Sequence, residues 1–418
     1  MKRLCALLVL LLVGYALPAQ ALTELGASAD DAEVEVGCLY PLSGINQLYG
    51  RDSLVAIELA LEDIARTMPE PPRIRILVED TKLKASRTIR LVRNFAQKHQ
   101  MRFICGIVSS GIALEVTKII DDLGVIFVGT DHASSRLTNE ALSTNYFRLS
   151  NNTRQSMVAG ATYVKQRFEG ILSTRPLEIA YIGPDYDYGY RSWRDFRAAM
   201  DGLDLPYRPV AAYWPKPFET DYSLYIRSLR SVRPDVVINT LWGNDLVAFV
   251  RQAQQTPLFD EMKFANFDTG GNFEVLAALG DDLPLGLILG ARHHVNWPQT
   301  QQNRTFVRRF FDRAGRYPSY AAQGAYSGIL AIAHALAKTD PKASTDQLRE
   351  ALLNLRLKLP EDPDGFTSFM NPKDHQIQQV IAIGETIPNR DFPPATRLLG
   401  NWQVFYPDAE GPVRAPEN

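Results

Sequence analysis

Two loops rich in glycine and serine carry the side chains best suited to chemistry in this 418-residue chain. Residues 105–111 read CGIVSSG and residues 128–135 read VGTDHASS, and they follow apolar runs at 103–108 and 125–128. Hydroxyl groups, and the backbone amides that glycine leaves accessible, donate and accept hydrogen bonds. The loops therefore predict a site that binds a small polar solute by hydrogen bonding, without bond-making chemistry.

Catalytic and metal-binding signatures are missing from the sequence. It has no G-x-S-x-G, H-E-x-x-H, C-x-x-C or phosphate-loop motif. Among the six histidines, His293 and His294 are adjacent. Adjacent residues on a strand point to opposite faces, so we expect no metal site. His132 lies in the second loop, and we interpret it as a solvated or hydrogen-bonding residue and not as a base. We expect neither an enzyme nor a bound cofactor.

Alternating strands and helices are predicted to position these loops. Strand-like segments at 34–40 and 74–78 alternate with segments at 54–64 and 89–96, where apolar residues recur at helical spacing. Short strands separated by helices predict a parallel sheet with right-handed crossovers. The loops at the carboxyl ends of such strands form the binding crevice of open α/β sheets.

A second α/β series begins after residues 146–148. Its predicted strands and helices alternate, and the helices further along the chain are expected to return to the first series. The chain then crosses between two lobes more than once, and the proline-rich segment at 359–364 is predicted to be one crossing. The strands of this series are expected at 177–182, 236–240 and 263–267, its helices at 192–200, 222–230 and 245–254, and the later helices at 304–314, 325–337 and 345–355.

The leader indicates the compartment. A basic segment at 1–3, an apolar run at 4–16 and the small-x-small site at 19–21 predict a signal peptide that is cleaved after Ala21. The run is shorter than the roughly 20 residues of a membrane-spanning helix, so we expect a periplasmic protein without membrane insertion. The formal net charge of −2 gives no bulk electrostatic argument for nucleic acid or anionic lipid.

Five segments make up the predicted organisation of the chain. The mature length fits two or three domains at about 100–200 residues each. The expected division is a signal peptide at 1–21, a first lobe at 34–150 plus 293–361, a second lobe at 151–292 plus 362–402, and a frayed tail at 403–418.

Two cysteines, Cys38 and Cys105, lie beyond the leader. Each is inside an apolar, strand-like run, so we interpret them as buried thiols that act as small apolar side chains. The alternative is a disulfide, because their strands are neighbours in a doubly wound sheet of order 2-1-3 and the predicted compartment is oxidising. The sequence leaves this choice open, since disulfide geometry is demanding.

An ordered set of motifs resembles the type I periplasmic solute-binding proteins of ABC importers. The set comprises PLSG-x4-YG at 41–50, Asp80 after the second strand, the serine-rich third loop, IGPDYDYG at 182–189, and DYS with RPDVV at 221–237. Within that group the chain is most similar to the leucine/isoleucine/valine-binding branch, from about residue 34 to about residue 382. The resemblance implies two doubly wound, Rossmann-like lobes with parallel sheets, joined by a hinge of several strands.

The resemblance also implies a function. Such a protein captures a small polar or amphipathic solute, such as an amino acid or an amide, in the cleft between its lobes. It closes on the solute and delivers it, as a monomer, to an ABC permease in the inner membrane. Two alternatives stay open: a periplasmic ligand sensor for a signalling receptor, and a binding protein for a larger apolar or aromatic solute.

Ligand-binding residues of the first lobe follow from the same resemblance. Ser110, preceded by Ser109, takes the place of the serine that holds the ligand carboxylate; the alternative is that both serines cap the helix near Ile112. Asp131 and Ala133 stand where relatives present small residues and a threonine. An acid at this place repels a carboxylate, so either Asp131 turns away or caps the next helix, or the ligand is not a simple amino acid.

The second lobe is expected to contribute two aromatic residues and an acid. Tyr188 matches the tyrosine of a family YG element, and Trp242 replaces the more usual tyrosine with a larger apolar wall. Asp268, directly after the predicted strand KFANF, matches the acid that pairs with a ligand ammonium. Without the resemblance, Asp268 would be interpreted as a residue that caps its loop.

Overall fold

Strands and helices alternate along most of the chain in the computed structural model, which describes residues 22–340 and 342–407. The predicted signal peptide at 1–21 and residues 408–418 of the predicted tail lie outside the described residues. None of the helices in the described ranges is long and apolar enough to cross a membrane.

The first lobe begins with βα units, as the period-2 and helical patterns predict. Its opening strand pairs antiparallel with the third along the chain, and the next strands are parallel neighbours. In chain order the elements are β1 (Thr23–Gly26), β2 (Val34–Tyr40), α1 (Gln47–Thr67), β3 (Ile74–Asp80), α2 (Ala85–Gln97), β4 (Phe103–Gly106), α3 (Ser110–Leu123), β5 (Ile126–Gly129) and β6 (Tyr146–Arg148).

The second lobe repeats this construction. It starts at a capping box, in which Asn152 and Gln155 exchange side-chain and backbone hydrogen bonds. Its elements are α4 (Thr153–Arg167), α5 (Glu169–Leu172), β7 (Leu177–Ile182), α6 (Asp187–Gly202), β8 (Tyr207–Tyr213), α7 (Ser223–Val232), β9 (Val236–Asn239), α8 (Gly243–Ala253), α9 (Leu258–Glu261), β10 (Lys263–Asn266), α10 (Phe273–Leu279) and β11 (Ile288–Gly290).

The remaining elements return to the first lobe and then cross to the second. The three helices expected to return do pack on the first lobe. They and the final strands are α11 (Gln301–Ala314), α12 (Tyr320–Ala337), α13 (Thr345–Leu353), β12 (Arg356–Leu357), β13 (Ser368–Asn371), β14 (Gln376–Gln378), β15 (Ile381–Pro388) and β16 (Arg397–Phe405).

Two sheets form the centres of the lobes. Among the described residues the first sheet has nine strands in the order β1-β3-β2-β4-β5-β6-β14-β13-β12, and the second has seven in the order β16-β15-β11-β10-β9-β7-β8. The chain passes between the sheets after β6, after β11 and after β14. The expected fold class, two doubly wound α/β lobes joined by a hinge of several strands, is confirmed.

The predicted crossing at residues 359–364 is wrong. The Asp362 carboxylate accepts hydrogen bonds from the Leu359 amide and from the amide and hydroxyl of Ser368. These bonds fold the segment into a loop, so β13 returns antiparallel to β12 within the first sheet. The predicted lobe boundary at residue 361 consequently places β13 and β14 in the wrong lobe.

Two further expectations concern the ends of the core. Cys38 and Cys105 are buried as expected, but they form a disulfide between β2 and β4, where they are directly opposite in register. The interpretation as free thiols is therefore wrong. Residues 403–405, which belong to the predicted tail, lie in β16, which pairs with β15.

Candidate ligand-binding site

A pocket lies between the two lobes, beside the carboxyl ends of β4, β5 and β10. It encloses about 260 Å³ of space, part of it open to solvent. The first lobe lines it with Val108, Ser110, Asp131, His132, Ala133 and Tyr320, the second with Tyr186, Tyr188, Trp242 and Thr269, and the crossing after β11 adds Arg292.

The serine loop is tied to the next loop of the first lobe. The Ser110 hydroxyl oxygen accepts hydrogen bonds from the amides of Ala133 and Ser134, at 3.3 and 3.1 Å. Its own O–H remains available to the pocket that it lines. Ser109 stands before the first residue of α3, where its side chain makes no capping hydrogen bond, and it does not line the pocket. The two serines therefore occupy different environments.

Asp131 is buried at the edge of the pocket, and few hydrogen bonds offset the loss of its contact with water. Its Oδ2 accepts from the Thr130 hydroxyl at 2.7 Å, while its Oδ1 has no partner among the described residues. Burial raises the pKa of Asp131 to about 7. Its side chain neither turns away from the pocket nor caps the short helix Ser135–Thr138. Helix α12 packs closely on this loop, since a Cβ at Gly324 would lie 2.2 Å from the Thr130 carbonyl oxygen.

His132 is a hydrogen-bonding residue, as expected. One ring nitrogen bonds the Ile107 carbonyl oxygen at 2.6 Å and the other bonds the Tyr146 hydroxyl at 2.7 Å. Burial holds its pKa well below the usual value, so the ring is neutral. His293 and His294 likewise bond protein groups, Asn303 and the Ala382 carbonyl oxygen.

Aromatic side chains of the second lobe form a wall of the pocket. The Tyr188 hydroxyl donates to Asp268 at 2.7 Å, and the indole N–H of Trp242 donates to the Tyr186 hydroxyl at 3.1 Å. Trp242 directly precedes α8, and its ring packs against Tyr49 of the first lobe with centroids 5.8 Å apart. Both predicted aromatic residues therefore line the pocket, and Tyr186 joins them.

Asp268 lies just behind this wall and is fully engaged by the protein. Arg292 donates to both carboxylate oxygens, at 3.2 Å from Nε and 2.7 Å from Nη2. The hydroxyls of Ser156 and Tyr188 donate at 2.9 and 2.7 Å. The guanidinium of Arg292 and these hydroxyls hold the pKa of Asp268 below its usual value, against the effect of burial. A ligand ammonium at Asp268 would have to displace one of these donors.

Arg292 is the functional candidate that the sequence patterns missed. Its guanidinium lies 5.0 Å from the centroid of the Tyr320 ring, and its Nη1 donates to the backbone oxygen of Asp131. It thus connects the two lobes across the pocket. The signal was available, because Arg292 follows the apolar run at 285–289 just as Asp268 follows its own strand.

The lobes contact each other around the pocket. The Ser135 hydroxyl donates to Asp195 at 2.6 Å, and the Tyr49 hydroxyl donates to Glu274 at 3.2 Å. An ion pair joins Arg136 to an Asp187 oxygen at 2.6 Å. These contacts join the lobes in a closed arrangement in which both lobes line the pocket.

Fold and site together define a two-lobed binding protein of type I, with its pocket at the carboxyl ends of parallel strands and several crossings between lobes. A model of the periplasmic binding protein family matches residues 33–390. The chain belongs to this family, and the resemblance to its leucine/isoleucine/valine-binding branch is confirmed.

Individual relatives are distant. The Leu/Ile/Val-binding protein homolog 7 of Brucella abortus (strain 2308) is 26% identical over 56% of this chain, a stretch that spans 59% of the relative. The structure of an amino acid ABC transporter substrate-binding protein from Pseudomonas fluorescens Pf-5 superposes with a TM-score of 0.76, at 20% identity over 90% of this chain and 96% of that one. An ABC transporter solute-binding protein from Rhodopseudomonas palustris BisB5, solved with 3,4-dihydroxybenzoic acid, gives 0.77 at 20% identity, over 92% and 98%.

Proposed function

We propose that this chain is the exported solute-binding component of an ABC importer, which captures a small solute between its lobes and delivers it to a permease in the inner membrane. The observation that carries the proposal is the pocket between the lobes, which both lobes line and close around. Membership in the periplasmic binding protein family supports it. The leader-like residues 1–21 support export.

The solutes of the related proteins narrow the choice. One structural neighbour is described as an amino acid binding protein and another was solved with an aromatic acid. Both kinds of solute carry a carboxylate group. The pocket of this chain offers Arg292, the Ser110 hydroxyl and an aromatic wall, which suit a small organic acid with an apolar body.

Capture is expected to proceed by closure. A solute that first contacts one lobe gains its second set of contacts only when the other lobe swings in, so binding shifts the population toward the closed form. The contacts at Ser135, Arg136 and Tyr49 then hold the lobes together. Closure also brings surfaces of both lobes into one arrangement that a permease can recognise.

The proposal is tested on the full chain, expressed with its leader and purified from a periplasmic extract. We expect the purified protein to begin at Leu22. Calorimetric titration with leucine, phenylalanine, benzoate and 4-hydroxybenzoate is expected to yield a tight ligand, and X-ray scattering is expected to show a smaller radius of gyration with that ligand.

Delivery is tested separately by uptake of the radiolabelled ligand in cells with and without the gene. Uptake that depends on the gene supports an importer. Tight binding without compaction would contradict the closure mechanism. Co-purification with a sensor kinase in place of a permease would support the sensor alternative.

A further inference from the structure

The guanidinium group of Arg292 has hydrogen-bond donors that the protein does not use. Arginine carries five N–H bonds. Among the described residues, one bond from Nε and one from Nη2 go to Asp268, and one from Nη1 goes to the Asp131 backbone. One N–H therefore remains on each terminal nitrogen. Two parallel N–H groups on the end of a guanidinium form the fork that binds a carboxylate through both of its oxygens.

Charge around the pocket also favours an anion. Arg148 is completely buried below the 128–135 loop, where it donates to the Tyr146 hydroxyl and the Ser134 carbonyl oxygen. Its Nη1 has no partner among the described residues, and none of their ion pairs involves it. Arg292 in the pocket lining and Arg148 under the adjacent loop thus contribute two positive charges, whereas Asp268 supplies one ionised carboxylate.

An ammonium group finds no comparable partner. The four hydrogen bonds to Asp268 fill the positions that a carboxylate offers. Asp131 is the carboxyl group that lines the pocket itself, and burial raises its pKa to about 7. At neutral pH it is therefore protonated in a large fraction of the molecules, which makes it a weak partner for a cation.

Aromatic side chains make up much of the remaining lining of the pocket. Tyr186, Tyr188 and Trp242 approach from the second lobe, and Tyr320 stacks on Arg292 from the first. Aromatic side chains favour offset or edge contacts with another ring. We propose that the solute is an aromatic carboxylate, whose carboxylate group binds the two terminal nitrogens of Arg292 while its ring packs among these side chains. This inference rests on the proposed function, because it assigns the solute of the same pocket.

Changing the ligand tests the inference without altering the fold. Benzoate and benzamide have the same shape and differ in charge. Calorimetric titration of the full mature chain should give benzoate, or its 4-hydroxy derivative, at least about 100-fold tighter binding than the matching amide, since two charge-assisted hydrogen bonds are lost. Phenylalanine should bind more weakly than benzoate, because Asp268 is fully occupied and Asp131 is only partly ionised at neutral pH.

Variants then locate the carboxylate. Arg292→Gln leaves Asp268 buried without its cation and can unfold the chain, so it is paired with Arg292→Gln/Asp268→Asn, which removes both charges. The double variant should melt as a folded protein and lose benzoate affinity by about 100-fold or more, while its preference for benzoate over benzamide disappears. Arg309→Gln removes a guanidinium that pairs with Glu62 and Asp63 on α1, and it should keep full affinity.

The outcomes separate the inference from the proposed function. Tight binding of leucine or benzamide with compaction, and no preference for benzoate, overturns the aromatic carboxylate and leaves the solute-binding function standing. Unchanged benzoate affinity in the double variant overturns the role of Arg292. If none of the tested compounds binds, the result counts against both the aromatic carboxylate and the proposed function.

Discussion

Two buried carboxyl groups lie close to the pocket, Asp131 in its lining and Asp268 behind the wall of the second lobe, and they differ in their hydrogen bonding and in their pKa. Asp268 of the second lobe receives four hydrogen bonds, two of them from Arg292, and its pKa is lowered. Asp131 of the first lobe receives one, from Thr130, and its pKa rises to about 7. Burial alone therefore does not decide whether an acid in this cleft is ionised; the number of donors and the nearby guanidinium do.

The difference follows from the elements that surround each acid. Asp268 lies where α4, α6 and the crossing after β11 converge, and each brings a donor: Ser156, Tyr188 and Arg292. Asp131 faces α12 at Gly324, which packs closely on it and brings no side chain. The second lobe consequently carries a fixed ion pair, and the first lobe carries a group whose charge responds to pH and to the solute.

Breaking the Arg292–Asp268 ion pair is expected to have the largest effect on stability. Asp268→Ala leaves the Arg292 guanidinium, whose side chain is 4% exposed, without its partner. Removing one member of a buried ion pair typically destabilises a protein by about 3–5 kcal/mol, and we expect a loss of that size in the free energy of unfolding. Urea denaturation followed by circular dichroism measures it.

A matched control is Asp245→Ala in the same lobe. Asp245 is also buried, but it accepts only the Phe218 amide, at 3.0 Å, and makes no ion pair among the described residues. Its loss should cost about 1 kcal/mol. Equal losses in the two variants would mean that the Arg292–Asp268 pair contributes nothing special.

The sequence contains much of this site in the form of loops that follow apolar strands. The patterns placed β2 to β5, β7, β9 and β10 within one or two residues at most ends, and the family resemblance led to Ser110, Asp131, Ala133, Tyr188 and Trp242, all of which line the pocket. Whether a residue lies at the end of a strand depends on its neighbours in sequence, so it can be predicted from the sequence.

The parts that could not be predicted depend on contacts distant in sequence. The position of Arg292 after an apolar run is visible in the sequence, but its pairing with Asp268, 24 residues earlier, is not. The return of β13 to the first sheet depends on the bonds that Asp362 makes with Ser368, which proline-rich composition does not indicate. Packing decides which hydrogen-bond donors reach each acid. Packing therefore also causes the difference in pKa between Asp268 and Asp131.

Ionisation of Asp131 is expected to make the stability of the chain depend on pH. A carboxyl whose pKa is raised in the folded state from 3.8 to about 7 loses stability as the pH rises between those values, because only the unfolded chain ionises freely there. Asp131→Asn removes this loss. Its advantage in the free energy of unfolding should grow by about 2–3 kcal/mol between pH 5 and pH 8 and level off above. Urea titrations at four pH values measure it, and a pH-independent difference would contradict it.

The third prediction concerns solute affinity and pH. If the solute is a carboxylate, its binding disfavours ionised Asp131, so benzoate affinity should fall by up to about tenfold from pH 6 to pH 8. An ammonium-bearing solute held by Asp131 would show the opposite slope. Calorimetric titration over this pH range distinguishes the two cases.

Neighbouring groups do not produce this slope. His132 stays neutral because its pKa is far below 6.5, and Tyr40 and Tyr320 keep their protons because burial raises theirs. Arg292 stays charged. Asp131→Asn is therefore expected to give a flat profile, whereas Glu274→Gln, which removes a buried acid with a pKa of about 7 that does not line the pocket, should keep the slope.

Removing one of the four hydrogen-bond donors to Asp268 is expected to have the smallest effect. Ser156→Ala deletes the hydroxyl bond at 2.9 Å and leaves the guanidinium pair and the Tyr188 bond in place. One such bond contributes about 1–2 kcal/mol to the free energy of unfolding, so the variant should lose about that much in urea titration. Solute affinity should stay within about threefold, because Arg292 keeps its position. A large loss of affinity would mean that the orientation of Arg292 depends on all four bonds together, and Asp268 would then be as sensitive to its surroundings as Asp131.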